Sequence, residues 1–222
     1  MSVRLPLFPL GSVLYPGLVQ PLHIFEDRYR QLVADLLAGP EPRQFGVIAI
    51  RQGRETGVDG VFSLYDTGCT AVLRRVEKYP DGRFGLVTVG TDRFRLLRLA
   101  DPAPYLRGEV ELLPDGPGDA AGAAAAVPSL QQQFRSYLAL LTERGRAQFT
   151  VPDLPDEPVL LSYLVAAAIV ADLPAKQRLL EEPDALHRLA AEHSLLAAEM
   201  RMIRSLTLTP APELRYTPYS QN

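Results

Sequence analysis

From Arg4 to about Leu113 the apolar residues come in short runs cut by glycine and proline. From Ser129 to about Leu206 they recur at helical spacing instead. The first pattern predicts strands over Leu5–Leu10, Val19–Ile24, Gln44–Arg51, Gly68–Lys78, Arg83–Leu99 and Leu106–Leu113, because each run is short and bounded by turn residues. One helix interrupts them. Tyr29, Leu32, Val33, Leu36 and Leu37 form a single apolar stripe, and Gly39-Pro40 ends it. The segment Tyr79-Pro80-Asp81-Gly82-Arg83 reads as a tight hairpin loop, with proline presetting one turn angle and glycine free to take positive φ.

The second pattern predicts helices. The first covers Ser129–Thr142, and the next is capped by Asp156 and ends near Asp172. A short one carries Pro174 in its first turn, where no N–H bond is lost, and runs to Glu182. The last covers Asp184–Arg204. Its residues Leu186, Leu189, Leu196, Met200 and Ile203 step by threes, fours and one seven, which is the seam of a bundle. His193 falls inside that seven-residue step, and an interhelical hydrogen bond is expected of it. The Gly-, Pro- and Ala-rich stretch 114–128 reads as a linker between a β-rich subdomain (1–113) and a helical one (129–206). Residues 207–222, with three prolines, read as a loosely ordered tail. The expected class is therefore α+β, strands first and helices after.

Composition narrows the function classes. The 222 residues are 47% hydrophobic and 22% charged, with a formal net charge of −3. That balance suits a soluble globular chain and supplies no overall basic field for nucleic acid or anionic lipid. The single cysteine, Cys69, excludes an intramolecular disulfide or a cysteine-based zinc site and fits a reducing compartment. Pro6, Pro9 and Pro16 break the apolar N-terminus, so it does not read as a signal peptide. The most hydrophobic stretch, Val159–Ala171, is too short to span a bilayer. A cytoplasmic protein is expected.

Catalytic patterns fail one by one. Neither lysine follows a glycine, so no phosphate-cradling loop is formed. Gly116, Gly118 and Gly122 are out of register for a dinucleotide fingerprint. His187 and His193 are six positions apart, which turns the rings to different sides of a helix and defeats metal chelation. No serine lies in a G-x-S-x-G turn. Cys69 sits in a strand-like run and reads as a buried, inert thiol, and His23 as structural. The pairs Glu26-Asp27 and Glu181-Glu182 flank helix ends, where the helix dipole accounts for them. Arg74, Arg75, Arg93, Arg95 and Arg98 read as outward charges on a half-exposed sheet. No cofactor and no metal is implied.

A family resemblance adds to this. Leu5-Pro6-Leu7-Phe8-Pro9-Leu10, Val13-Leu14-Tyr15-Pro16-Gly17, Pro21-Leu22-His23-Ile24-Phe25-Glu26 and Arg28-Tyr29 closely resemble the start of the Lon protease N-terminal domain. In order follow Phe45-Gly46-Val47-Ile48, Asp66-Thr67-Gly68-Cys69-Thr70-Ala71, Asp81-Gly82, Val87-Thr88-Val89-Gly90 and Arg93-Phe94-Arg95. Then come Pro104-Tyr105, Glu109-Val110, Leu173-Pro174, Lys176-Gln177 and Leu179-Leu180-Glu181. The likeness spans about residues 4–205. It implies a β-rich pseudo-barrel followed by a helical bundle, and a domain that engages unfolded or tagged protein substrates and helps assembly. In that family an ATPase module and a Ser–Lys protease module do the chemistry. This chain carries no Walker motif and no serine in a Lon-like G-P-S-A-G setting. The expectation is thus a stand-alone, non-catalytic module that binds unfolded or flexible polypeptide.

Tyr15 and Phe25, beside the N-terminal motif, and Tyr105, near the last strand, are the candidate contacts. They must form a continuous exposed patch to serve; the competing role is a lid over the core. Two other functions stay open. One is an adaptor docking a protease or regulatory protein through the bundle. The other is a small-molecule enzyme, with a polar pocket holding His23 or Cys69.

Overall fold

A computed structural model describes residues 2–53, 61–100, 104–143 and 153–205. The strands are β1 (Ser2–Leu10), β2 (Val19–Ile24), β3 (Gln44–Gly53), β4 (Val61–Lys78), β5 (Phe84–Leu99) and β6 (Arg107–Leu112). Helix α1 (Asp27–Ala38) lies between β2 and β3, and α2 (Ala120–Glu143), α3 (Pro158–Ala168), α4 (Leu173–Glu181) and α5 (Ala185–Ser205) follow the sheet. The expected tail, 207–222, lies outside the described residues.

Five strands close on themselves. β1 pairs with β3 in parallel, and β3–β4, β4–β5, β5–β6 and β6–β1 pair antiparallel. Each of these strands thus has a neighbour on both sides over part of its length. β5 is long enough to take a second neighbour: its C-terminal half carries β6, and its N-terminal half, Phe84–Val89, carries β2. Among the described residues β2 pairs with β5 alone and ends the sheet. The fold is α+β with a pseudo-barrel followed by helices, as the sequence and the resemblance imply.

Local chemistry explains the junctions. At the β4–β5 hairpin the Tyr79 N–H donates to the Arg83 carbonyl at 2.9 Å, and Gly82 takes a φ of 84°, a conformation that strains any side chain. Gly90 lets Tyr15 approach β5, because a Cβ there would lie 2.3 Å from the Tyr15 carbonyl oxygen. α1 drops Tyr29, Leu32 and Val33 into a core shared with Phe8, Phe45 and Ile24.

The helical half departs from expectation at its start. α2 begins at Ala120, so the expected linker 114–128 shrinks to the turn before it. Asp119 caps the helix, accepting from the Ala121 and Gly122 amides at 3.3 and 3.2 Å. The alanine-rich segment continues the buried stripe: Ala123 and Val127 lead into Leu130 and Phe134 at steps of four, three and four. Pro128 is tolerated inside the helix because it faces solvent, where water satisfies the carbonyl its ring strands. The N-cap of α3 is Glu157 rather than Asp156, its carboxylate accepting from Val159 and Leu160 amides. Asp156 instead accepts a side-chain bond from Gln131 at 3.0 Å. α4 carries Pro174 in its first turn as expected, and Asp172 caps it, its carboxylate accepting from the Ala175 amide.

α5 brings a second correction. Its buried face runs through Ala185, Arg188, Leu189, Glu192, Leu196, Met200 and Ile203. The seam position inside the seven-residue step is Glu192, fully buried, while His193 points to solvent. The interhelical bond near His193 is made by its backbone, whose carbonyl accepts from Gln133 at 3.0 Å.

Candidate functional site

The barrel and the bundle are joined by a buried polar hub. Arg93, expected to point outward from the sheet, does so, but the bundle covers that face and leaves it 2% exposed. Its guanidinium donates to the carbonyls of Leu180 (2.9 Å), Pro183 (3.1 Å), Pro114 (3.0 Å) and Glu182. Arg188 of α5, also fully buried, donates to the Leu179 carbonyl and the Ser162 hydroxyl, both at 2.9 Å, and lies 4.0 Å over the Tyr163 ring. Asp115 serves both arginines, at 3.5 and 3.9 Å, and accepts from the Tyr163 hydroxyl at 2.5 Å. Asp115 offsets part of the charge of the two guanidiniums, and the carbonyl and hydroxyl acceptors take up donors of both, which lowers the cost of burying them. The hub is a joint, not a site open to ligand.

Tyr15 and Tyr105 belong to the interior. Tyr15 is 1% exposed, packs against Tyr163 with ring centroids 6.1 Å apart, and donates from its hydroxyl to the Lys176 carbonyl at 2.8 Å. Burial pushes its phenol up. Tyr105 is 5% exposed and donates to the Asp35 carboxylate at 2.7 Å; that bond, with a second from Gln31, holds Asp35 below the usual carboxylate range. The expected continuous patch of Tyr15, Phe25 and Tyr105 therefore does not form. Both tyrosines are turned inward because each has a polar partner for its hydroxyl and an apolar bed for its ring.

Phe25 stands apart. It follows β2 directly and is 52% exposed. It lies on the rim of a cleft of about 180 Å³ floored by Phe8, Ile24 and Tyr29 and walled by Leu10 and Pro21. The cleft opens between the end of β1 and β2, where the sheet has no strand. On the opposite face of β2 a broader trough of about 410 Å³ is lined by His23, Arg75, Glu77 and Tyr79. Val19, at the other end of β2, is 63% exposed, and Leu160 of α3, close to Gly17, is 53% exposed. The exposed apolar groups of this region thus sit at both ends of one edge strand.

The other candidates are placed as follows. Cys69 is fully buried and its thiol is pushed up by burial, a setting that suppresses the thiolate. His23 is exposed and lies 3.3 Å from an Arg83 nitrogen, away from Cys69's core. Among the described residues, no group of His, Cys, Asp or Glu is arranged to hold a metal ion, and no helix is long and apolar enough to cross a membrane. A groove between α2 and α5 is lined mainly by polar side chains, Gln132, Gln133, Ser136, His193 and Arg201 among them; its character differs from that of the β2 cleft.

Comparison with known proteins agrees with this geometry. Residues 4–198 match the family model of the ATP-dependent protease La (LON) substrate-binding domain. The chain is 26% identical over 194 residues to Lon protease 2 of Syntrophobacter fumaroxidans, covering 86% of this chain and 23% of that protein. It is 27% identical over 202 residues to Lon protease 2 of Myxococcus xanthus, covering 90% and 24%. It therefore spans about a quarter of the length of these curated relatives. Among solved structures, the Lon N-terminal domain protein of Xanthomonas campestris matches with a TM-score of 0.60 at 27% identity, over 88% of this chain and 98% of that one. The N-terminal domain of the Mycobacterium avium complex Lon protease shares the fold, with a TM-score of 0.64 at 19% identity over 88% and 98%. With a barrel, a bundle and matched motifs running from Arg4 to Ala198, the chain belongs to the LON substrate-binding domain family.

Proposed function

We propose that this chain binds flexible or unfolded polypeptide segments without catalysing any covalent step, and that the segment lies in the cleft between β1 and β2. The observation that carries the reading is Phe25, half-exposed on the rim of an apolar cleft beside a strand with no second neighbour among the described residues. Covering such a ring and the cleft floor contributes roughly 1–2 kcal/mol, and main-chain hydrogen bonds along β2 add affinity without demanding a sequence. That combination suits a site that must accept many segments weakly. The substrate-binding role of the family supports the same reading. Burial of the Cys69 thiol takes that residue away from the small-molecule enzyme reading. A protease or regulatory protein as partner belongs to the same proposal, as the recipient of the held segment.

The test is a titration of a fluorescently labelled, permanently unfolded protein with the native chain and with Phe25→Asp. Saturable binding at tens of micromolar, weakened at least about tenfold by the substitution, is the expected result. No saturation with a demonstrably folded chain, or equal binding by both forms, overturns it.

A further inference from the structure

We infer that the free edge of β2 takes up an extended segment of alternating apolar and polar residues as an added antiparallel strand. The inference rests on the polypeptide-binding reading above and specifies its geometry and substrate class. The Gly90 N–H donates to the Leu18 carbonyl at 2.9 Å, and the Thr88 hydroxyl reaches the Gln20 carbonyl at 2.9 Å. Backbone groups alternate sides along a strand. Residues 20, 22 and 24 therefore face β5, and Val19, Pro21 and His23 turn their backbone groups to the open edge. Pro21 agrees, since a residue without an N–H belongs on that side. Among the described residues, neither Val19 nor His23 makes a backbone bond outside the β5 ladder.

The edge is thus a two-point clamp. Val19 and His23 each offer a donor and an acceptor, and Pro21 between them offers only a carbonyl, which already accepts from the Gln20 amide at 3.1 Å. Six residues of strand span about 20 Å, enough to hold a short segment weakly. The gap at Pro21 also disfavours a second copy of β2 as occupant. Two such edges paired about Pro21 would set two donor-less residues opposite each other, whereas a foreign strand still brings its own N–H.

The two faces of β2 select the side chains. Residues on an added strand point alternately to either face. One face meets the apolar cleft of Phe8, Ile24 and Phe25, and the other meets the trough of His23, Arg75 and Glu77. Arg75 and Glu77 take part in no ion pair among the described residues, so the trough presents one charge of each sign to polar side chains. The favoured substrate is an unpaired amphipathic strand of a partly unfolded protein, not a helix and not a uniformly apolar run.

The experiment uses a fluorescein-labelled decapeptide that alternates leucine with lysine, threonine or glutamate. Two further forms are N-methylated on the polar set or on the leucine set. In an antiparallel addition with leucines in the cleft, the polar residues are those whose N–H groups face Val19 and His23. N-methylation of the polar set is expected to lower affinity at least about tenfold, and of the leucine set by less than about threefold. A companion variant, His23→Pro, keeps the β5 ladder, as Pro21 does, and is expected to weaken the parent peptide about fivefold. Equal loss for both methylated forms, or loss confined to the leucine set, overturns the inference. So does failure of the parent peptide to bind while the unfolded protein still does; that result leaves the polypeptide-binding reading intact, whereas failure of both ligands removes the two together.

Discussion

The guanidinium of Arg93, on barrel strand β5, donates at 2.9 Å to the carbonyl of Leu180 in the last turn of α4. The final carbonyls of a helix lack partners within it, and a cation placed there also meets the negative end of the helix dipole. One side chain from the barrel thereby closes one helix of the bundle. Arg93→Met keeps much of the volume but removes every donor. It is expected to cost about 3 kcal/mol or more, read as a lower midpoint in urea unfolding. A loss under about 1 kcal/mol would show that the hub does not hold the two halves together.

Glu192 gives the pH dependence. It is fully buried, and its carboxylate oxygens make no hydrogen bond of normal geometry among the described residues, although the Ala166 backbone lies close enough to favour the charged form. Burial raises its pKa well above the ordinary value of 4.5, against the pull of Arg188. A raised acid is protonated more readily in the folded chain than in the unfolded one. Its contribution to stability is complete below about pH 4.5 and declines as pH rises toward the folded-state value. Glu192→Gln removes the proton from this balance. The variant should match the parent near pH 4 and exceed it increasingly toward neutral pH in denaturant titrations. A pH-independent difference would contradict the assignment.

Cys69 is a clock for opening of the barrel. With the thiol sealed and pushed up, a disulfide reagent should react only through opened molecules. Its rate should then rise with urea well below the unfolding midpoint. Prompt stoichiometric reaction in native buffer would mean that the barrel core is accessible.

Phe25 and Tyr105 should separate binding from stability. Phe25→Ala removes a half-exposed ring and should shift stability by less than about 0.5 kcal/mol while weakening the unfolded ligand severalfold. Tyr105→Phe deletes the bond to Asp35 and should cost about 1 kcal/mol without changing binding. Thermal melts and the titration, run on both variants, check the pair.

Much of the fold was legible because its signals are local. The β2 span, the Gly82 turn, the α1 stripe and Pro174 in the first turn of α4 each rest on neighbouring residues. What escaped the sequence depends on distant parts of the chain. The alternation along β5 sends Arg93 outward correctly; only the bundle's position reveals that outward is buried. The seven-residue step from Leu189 to Leu196 did mark a missing seam residue. Glu192 holds it, on the same face as Arg188 one turn earlier. Whether Tyr15 and Tyr105 face outward or cover the core was not legible locally, because their hydroxyl partners, Lys176 and Asp35, are 161 and 70 residues away. Phe25 stays half-exposed just after β2, which has no outer neighbour among the described residues.

Backbone hydrogen exchange, followed by mass spectrometry with and without saturating unfolded protein, locates the bound segment directly. New protection should concentrate on residues 19–29, the β2 edge and the entry to α1, with the α2–α5 groove unchanged. Protection confined to that groove, or none anywhere at saturation, would contradict a cleft at β2 as the place where polypeptide is held.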